Sequence, residues 1–286
     1  MNLSKKIIIG SANFNEEYGI FKKKIDILEL ELIVNYLIKN NQFFFETSIG
    51  YKNSINLLNN LIMKKDYKNY EYILKLSNDD KKINNQINNK YFLKKKLPKI
   101  IMAHNAKDFL DIKFRNDLIE FSNKNNIKIG VSVYNKSEIS DVLNCYKPDV
   151  IQIPINLIDQ RLFKDGTLKL LKNDGIEIHA RSIFLQGLFF LSEKQIISKF
   201  PILKDILKIF TKISKISKYS LSELSFLWVN SIQEVDKIII GIDNLEQLKK
   251  NYELLNYKLS SNLFSEIINI NFNDNSVLNP SLWPKK

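Results

Sequence analysis

Polar side chains stand at the ends of a series of short apolar runs in this sequence. A buried run has no structural need for such a side chain, and each polar group there costs free energy unless it finds a partner. Seven consecutive runs nonetheless end on a polar side chain or a glycine: Glu46, Lys75, His104, Ser132, Gln152, Arg181 with Ser182, and Gly241. We therefore interpret these positions as parts of one functional site.

Four residues supply the groups for proton transfer to a carbonyl oxygen: Tyr51, Lys75, Glu46 and His104. Carbonyl reduction needs a proton donor at the oxygen while a hydride reaches the carbon. A free tyrosine titrates at about pH 10, and a lysine ammonium nearby lowers that pKa because it favours the phenolate. A carboxylate beside the lysine would hold the ammonium in place, and a histidine would orient the proton. The sequence thus predicts an acid–base device with Tyr51 as the donor.

The apolar runs themselves are nearly continuous rather than alternating, which is typical of strands buried on both faces of a parallel sheet. Eight can be counted, at residues 6–9, 42–45, 72–76, 100–103, 127–133, 150–153, 176–180 and 237–240. Amphipathic stretches at 27–39, 53–64, 107–123 and 245–255 read as helices. Eightfold alternation of strand and helix predicts an α/β fold, a (β/α)₈ TIM barrel, with its site at the C-terminal ends of the strands. A doubly wound open sheet is the rival, but no GxGxxG turn follows the first run.

Two segments depart from this alternation. Residues 77–99 are short and rich in asparagine, so we expect a stunted helix there. Residues 189–219 are long and contain Pro201, which predicts a loop with extra helices after the seventh strand. No linker or shift in composition divides the chain, and we predict one domain over residues 1–286.

Length and cysteine content restrict the class of protein. The chain has 286 residues and 44% hydrophobic content, ordinary values for one barrel of roughly 250 residues. Cys145 is the single cysteine, which excludes an internal disulfide and favours the reducing cytoplasm. No apolar run reaches the length of a membrane span, and the N-terminus lacks the pattern of a signal peptide. We therefore expect a soluble cytoplasmic protein that does not contact membranes.

The net charge of +12 raises the question of nucleic-acid binding. The lysines are scattered along the chain, and the densest runs, 22–24 and 94–96, are too short to form a binding face. We therefore predict a solvated basic surface and no nucleic-acid partner; a nucleic-acid binder would instead show steep salt dependence. With two histidines, one cysteine and no ligand spacing, we predict no metal site.

Eight segments carry a likeness to a known family: IIIGSANFNEEYGI at 7–20, FETSIGY at 45–51, ILKLS at 73–77, IMAHNA at 101–106, IGVSVYN at 129–135, DVIQIPINLIDQR at 149–161, HARSIFLQGL at 179–188 and IIIGIDNLEQLKKN at 238–251. In this order they resemble the aldo/keto reductase family from end to end. The resemblance implies an oxidoreductase that interconverts a small aldehyde, ketone or sugar-like carbonyl and its alcohol. It also implies NADP as the cofactor, with NAD as the alternative. The segment at 179–188 resembles a bacterial branch associated with carbohydrate metabolism.

The resemblance also assigns roles to single residues. Tyr51 corresponds to the family's acid/base, with Lys75 and His104 as its partners. Ser132 and Gln152 correspond to the pair that binds the nicotinamide carboxamide. Ser182, Gly187 and Leu188 correspond to the loop around the pyrophosphate. Gln247 and Asn251 correspond to the adenosine site. Arg181 stands where many members have a tyrosine that stacks under the nicotinamide, and Gly241 ends the eighth run at the same mouth.

Several positions depart from the family pattern. Glu46 replaces the aspartate of a DTAxxYG motif, Lys52 replaces its glycine, and Val133 stands where many members have asparagine. Asp243 and Gln247 lie where members often offer basic or hydroxyl groups to the 2′-phosphate. These departures keep a second interpretation open, in which the chain is a catalytically impaired cofactor-binding barrel that serves as a sensor or subunit. NADPH binding without oxidation against an aldehyde panel would favour that interpretation.

Overall fold

Eight parallel strands, paired in sequence order, close into a barrel. The computed structural model describes residues 3–51, 53–64, 67–78 and 96–283. The strands are β1 Ile7–Gly10, β2 Phe44–Ser48, β3 Glu71–Leu76, β4 Ile100–Ala103, β5 Lys128–Ser132, β6 Val150–Pro154, β7 Glu177–Arg181 and β8 Lys237–Ile240. The ring closes between β1 and β8, where Ile8 pairs with Ile239. All eight predicted strands are present, and the predicted (β/α)₈ barrel is confirmed.

Helices surround the barrel and cover the outer faces of the strands. Those of the described residues are α1 Ile27–Lys39, α2 Ser54–Lys64, α3 Ala106–Leu110, α4 Ile112–Asn125, α5 Lys136–Cys145, α6 Arg161–Lys164, α7 Thr167–Asn173, α8 Glu193–Lys199, α9 Lys204–Ser217, α10 Leu221–Ser231, α11 Leu245–Leu254, α12 Ser261–Ile268 and α13 Asn275–Leu278. Asp26 caps α1 through a hydrogen bond from the amide of Leu28. That helix buries Leu30, Ile33 and Leu37 against the sheet. None of the helices in these ranges is long and apolar enough to cross a membrane.

Three helical segments refine the sequence-based expectations. The single helix expected at 107–123 is two, because Asp111 adopts an extended conformation and its carboxylate accepts from the amide of Phe114, which starts a new helix. The long segment after β7 is mostly helical: Ser192 begins α8 with a capping box, and α9 follows. Of the stunted helix expected within 77–99, residues 79–95 lie outside the described part of the chain.

The barrel interior has two layers. The lower layer is apolar and consists of Ile8, Phe44, Ile73, Ile100, Val150 and Ile239, which cluster with Met102, the next inward residue on β4. Side chains two positions apart on a strand share a face, so the next inward position after Phe44 is Glu46, and the next after Ile73 is Lys75. Gln152 follows Val150 in the same way. The polar residues therefore form a second layer, directly above the apolar one and at the C-terminal mouth.

Candidate active site

A buried ion pair occupies the upper layer of the barrel. The Nζ atom of Lys75 lies 3.5 Å from Oε1 of Glu46, and each of these residues is only 4% exposed. Gln152 completes a triangle: its Oε1 accepts from Lys75 at 2.9 Å, and its Nε2 donates to Oε2 of Glu46 at 2.5 Å. The glutamate therefore still reaches the lysine, as the sequence predicted. The amide of Gln152, expected at a cofactor carboxamide, is engaged by this pair.

Tyr51 lies above this pair on the pocket wall, and its hydroxyl makes no hydrogen bond within the described chain. Burial raises the pKa of Tyr51 well above 10, and the Glu46 carboxylate adds to the increase. The pKa of Tyr51 in the protein alone is therefore raised, not lowered as expected from Lys75, and burial is the largest cause. The positive charge that opposes the increase in the Tyr51 pKa belongs to Arg181.

His104 stands edge-on to Tyr51, with ring centroids 5.9 Å apart and an interplanar angle of 87°. Its Nδ1 lies 3.1 Å from Oγ of Ser48, which also accepts from the amide of Gly50 and lies 3.3 Å from the carbonyl oxygen of Lys75. Burial, assisted by the charges of Lys75 and Arg181, lowers the pKa of His104 to about 3. The imidazole is therefore neutral at physiological pH and acts by hydrogen bonding. With Nδ1 tied to Ser48, Nε2 is the nitrogen left for a ligand.

Arg181 is fixed in the wall of the same pocket by three hydrogen bonds. They run from Nε to Oγ of Ser132 at 3.2 Å, from Nη1 to Oγ of Ser182 at 3.2 Å, and from Nη2 to the carbonyl oxygen of Val133 at 3.3 Å. The guanidinium also lies over the ring of Tyr134, with Cζ 4.2 Å from its centroid. The predicted site residues Ser132 and Arg181 are thus in direct contact.

Two loops meet at the side of the pocket. The loop after β7 holds Ser182, Gln186 and Gly187 at φ of 58°, 51° and 91°, left-handed values that cost non-glycine residues free energy. It receives a hydrogen bond from the amide of Ile20 to the carbonyl oxygen of Gln186, at 2.8 Å. A Cβ on Gly19 would lie 2.8 Å from that oxygen, so only glycine permits this approach. The contact joins the loop after β1 to the loop after β7.

A polar cluster closes the far end of the pocket, beyond β8. The Nδ2 atom of Asn13 donates to the carbonyl oxygen of Ile242 at 2.8 Å and to Oδ1 of Asp243 at 3.0 Å. The Oδ1 atom of Asn13 is buried and has no hydrogen-bond partner among the described residues. Gln247 accepts from the amide of Asp243 through Oε1 at 2.9 Å. This end therefore has amide groups to offer a ligand.

The pocket is a cavity of about 220 Å³ whose lining includes His104 and Gln247. The predicted residues on its wall are Glu46, Tyr51, Lys75, His104, Ser132, Arg181, Ser182, Gly187, Gly241 and Gln247. Three others are buried behind the wall: Gln152, Leu188 and Asn251. The sequence analysis missed Ser48, Tyr134 and Asn13 as site residues. Ser48 and Tyr134 follow Glu46 and Ser132 by two positions, so strand alternation could have found them.

Comparison with known proteins identifies the family. The model of the aldo/keto reductase family matches residues 127–271, just over half of the chain. The chain belongs to the aldo/keto reductase family. No curated protein matches it. As an aldo/keto reductase, it is an oxidoreductase that acts on carbonyl compounds, and members of its family bind nicotinamide cofactors.

Solved structures of aldo/keto reductases resemble this one over nearly their whole length. A thermostable aldo-keto reductase, Tm1743, in complex with the inhibitor epalrestat, has a TM-score of 0.68 and 18% identity, with 92% of this chain and 93% of that chain covered. The holo form of aldo-keto reductase AKR11C1 from Bacillus halodurans has a TM-score of 0.68 and 14% identity, with 92% and 91% covered. Since these identities are low, the likeness concerns the fold.

The pocket lining of this aldo/keto reductase is compatible with a nicotinamide cofactor. It includes the acid–base groups and Asn13, whose amide oxygen is buried and has no partner among the described residues. Nothing lies within 4 Å of a Cβ built on Gly241, so the mouth is open between the two ends. Unpaired buried polar groups are uncommon in folded proteins unless a ligand or water satisfies them. Asn13, Ser182, Gly187 and Gln247 are the residues that would hold such a cofactor.

Proposed function

We propose that this chain reduces a small aldehyde, ketone or sugar-like carbonyl to the alcohol, or catalyses the reverse reaction, with NADP or NAD as the cofactor and Tyr51 as the proton donor. The observation that carries the proposal is that Tyr51, His104 and the ion pair of Glu46 and Lys75 line one pocket, with the rings of Tyr51 and His104 edge-on to each other. We also propose that the enzyme is cytoplasmic, in keeping with its single free thiol at Cys145.

Each residue has a distinct part in the proposed reaction. The bound nicotinamide supplies the hydride. Tyr51 gives its phenolic proton to the carbonyl oxygen, and Nε2 of His104 orients that oxygen by a hydrogen bond. Lys75, held by Glu46 and Gln152, keeps a positive charge below the phenol and limits the cost of the phenolate that forms. The raised pKa of Tyr51 keeps the phenol protonated in the resting protein, so the proton that reduction needs is present.

A binding titration tests the proposal first. NADPH and NADH are added separately to the protein while nicotinamide and tryptophan fluorescence are followed, and oxidation is then measured with a panel of aldehydes, ketones and sugars. We expect saturable binding and turnover of at least one carbonyl. A protein that fails to bind either dinucleotide at millimolar concentration would contradict the proposal.

A second function is favoured by one observation. Because burial and the carboxylate of Glu46 both oppose the phenolate of Tyr51, a barrel that binds the cofactor without turning it over is the alternative. Tight binding of NADPH together with no oxidation against any member of the carbonyl panel would support a sensor or subunit.

The pKa values give a test of the proton donor by pH. His104, with a pKa of about 3, does not titrate between pH 5 and pH 9, and Tyr51 keeps its proton there because its pKa is raised. Since reduction uses the phenol, kcat/KM for reduction should stay constant from pH 5 upward until Lys75, whose pKa burial lowers from 10.5, begins to lose its charge. Alcohol oxidation uses the phenolate and should instead increase steadily with pH. The two profiles are measured with saturating cofactor, and a loss of reduction centred at about pH 6.5 would reveal an ordinary histidine as the essential group.

The cluster beyond β8 gives a test of cofactor choice. Asp243 and Gln247 line the pocket, and neither offers the positive charge that a 2′-phosphate requires. We expect only a weak preference for NADPH over NADH in the native protein, and Gln247→Arg should raise the affinity for NADPH by about tenfold. Separate titrations of both dinucleotides measure the ratio. Glu246→Arg, at an exposed position on the same helix, adds a cation outside the pocket and is the control. An unchanged affinity ratio in Gln247→Arg would show that this position does not face the phosphate.

A further inference from the structure

Arg181 carries a charge that no acidic side chain balances within the described part of the chain. Its partners are two hydroxyls, one carbonyl oxygen and one aromatic ring. Two other cations with little exposure differ: Lys75 is paired with Glu46, and Arg161 contacts both carboxylate oxygens of Asp159 at 2.8 and 3.0 Å. A half-buried guanidinium without a counter-ion is costly, so its retention in the pocket wall calls for a role in binding.

The position of this charge is rigid. Three hydrogen bonds and the ring of Tyr134 hold the guanidinium, so it cannot turn toward solvent without losing all of them. It lines the same cavity as Tyr51 and His104. Its charge lowers the pKa of His104 and opposes the increase at Tyr51. A ligand group that reacts beside Tyr51 therefore lies within the field of Arg181.

The charge of a nicotinamide changes during the reaction that we propose. Hydride transfer moves two electrons and one proton from the ring to the carbonyl carbon, and the carbonyl oxygen takes the phenolic proton of Tyr51. The ring is neutral before this step and carries one positive charge after it. Two positive charges several Å apart in a partly desolvated site repel each other.

We infer that Arg181 makes the pocket discriminate by redox state, so that it binds the reduced dinucleotide more tightly than the oxidised one. This inference rests on the proposed function. The oxidised dinucleotide should dissociate more readily than the reduced one, which favours its release after carbonyl reduction. A tenfold difference between the two affinities corresponds to an increase of about 30 mV in the reduction potential of the bound couple.

The test compares the dissociation constants of NADPH, NADP⁺, NADH and NAD⁺, measured by calorimetry without substrate. The native protein should bind NADPH about tenfold or more tightly than NADP⁺, and it should bind NADH more tightly than NAD⁺ by a similar factor. Arg181→Gln removes the charge and should lower this ratio of affinities about tenfold, whereas Arg181→Lys keeps the charge and should preserve most of it. Lys23→Gln is the matched control, because Lys23 lines the outer part of the pocket and is exposed. It loses the same charge but should leave the ratio unchanged.

The outcomes separate the two proposals. A protein that binds no dinucleotide overturns the proposed function and this inference with it. Binding of the oxidised and reduced forms with equal affinity by the native protein overturns the inference alone, and this result needs no variant. A ratio that decreases equally in Arg181→Gln and Lys23→Gln also overturns it, since overall charge would then be the cause. Melting temperatures of the variants establish that each is folded.

Discussion

Tyr51→Phe should lower carbonyl turnover by roughly 10²–10⁴-fold, the usual contribution of general acid catalysis. The substitution removes the phenolic proton and keeps the ring that packs edge-on against His104. Because the hydroxyl makes no hydrogen bond within the described residues, its loss leaves no partner unsatisfied. Dinucleotide affinity and melting temperature should therefore stay close to native values. Steady-state kinetics and a cofactor titration on the same preparation measure the two effects.

Tyr134→Phe is the matched control for this experiment. Tyr134 lines the same pocket, and its ring rather than its hydroxyl supports Arg181. The control should change turnover by only a few-fold. Equal, measurable turnover in the native protein and in Tyr51→Phe would show that the proton comes from another group.

Lys75→Met should destabilise the fold by about 3–5 kcal/mol, the usual cost of leaving one partner of a buried ion pair without its counter-ion. Glu46 would then remain as a carboxylate that is 4% exposed, with only Gln152 to donate to it. Adding Glu46→Gln removes that uncompensated charge, so the double variant should recover most of the lost stability. It should not recover turnover, because the ammonium below Tyr51 is still missing. Urea unfolding of the native protein, Lys75→Met, Glu46→Gln and the double variant completes the double-mutant cycle.

The exposed pair of Lys99 and Glu71 provides the control for burial. Its atoms lie 2.8 Å apart, closer than in the buried pair, but the two side chains are 46% and 45% exposed. Lys99→Met should therefore cost no more than about 1 kcal/mol. If Lys75→Met and Lys99→Met lowered the free energy of unfolding by similar amounts, the buried pair would stabilise the fold no more than the exposed pair does.

The barrel could be predicted because each strand is marked by a short pattern of neighbouring residues in the sequence. Each strand is a short, continuous apolar run, and the polar residue that ends it marks the mouth; Glu46, Lys75 and His104 were recognised in this way. The family resemblance then added the strand-seven loop and the segment beyond β8. The family match supports that resemblance over residues 127–271.

Other parts of the site depend on distances across the barrel, which a single sequence does not contain. Gln152 is 106 positions from Glu46 in the chain, yet it donates to its carboxylate. The pKa of Tyr51 increases where proximity to Lys75 alone predicted a decrease, because the folded chain buries the phenol and places the Glu46 carboxylate near it. Asn13 lies in a loop whose sequence has neither helical nor strand periodicity. Nothing in the composition around Gln186 predicts its left-handed φ. These features follow from packing between distant segments.

The apolar lower layer of the barrel also bears on how ligands exchange. Ile8, Phe44, Ile73 and Val150 are buried at the inward positions just before Gly10, Glu46, Lys75 and Gln152, so these side chains form an apolar floor beneath the polar layer. A molecule seated against that floor is covered by whatever binds above it. We therefore expect the deeper ligand to bind first and to dissociate last. Side chains that take no part in the proposed chemistry would in this way set the order of ligand binding.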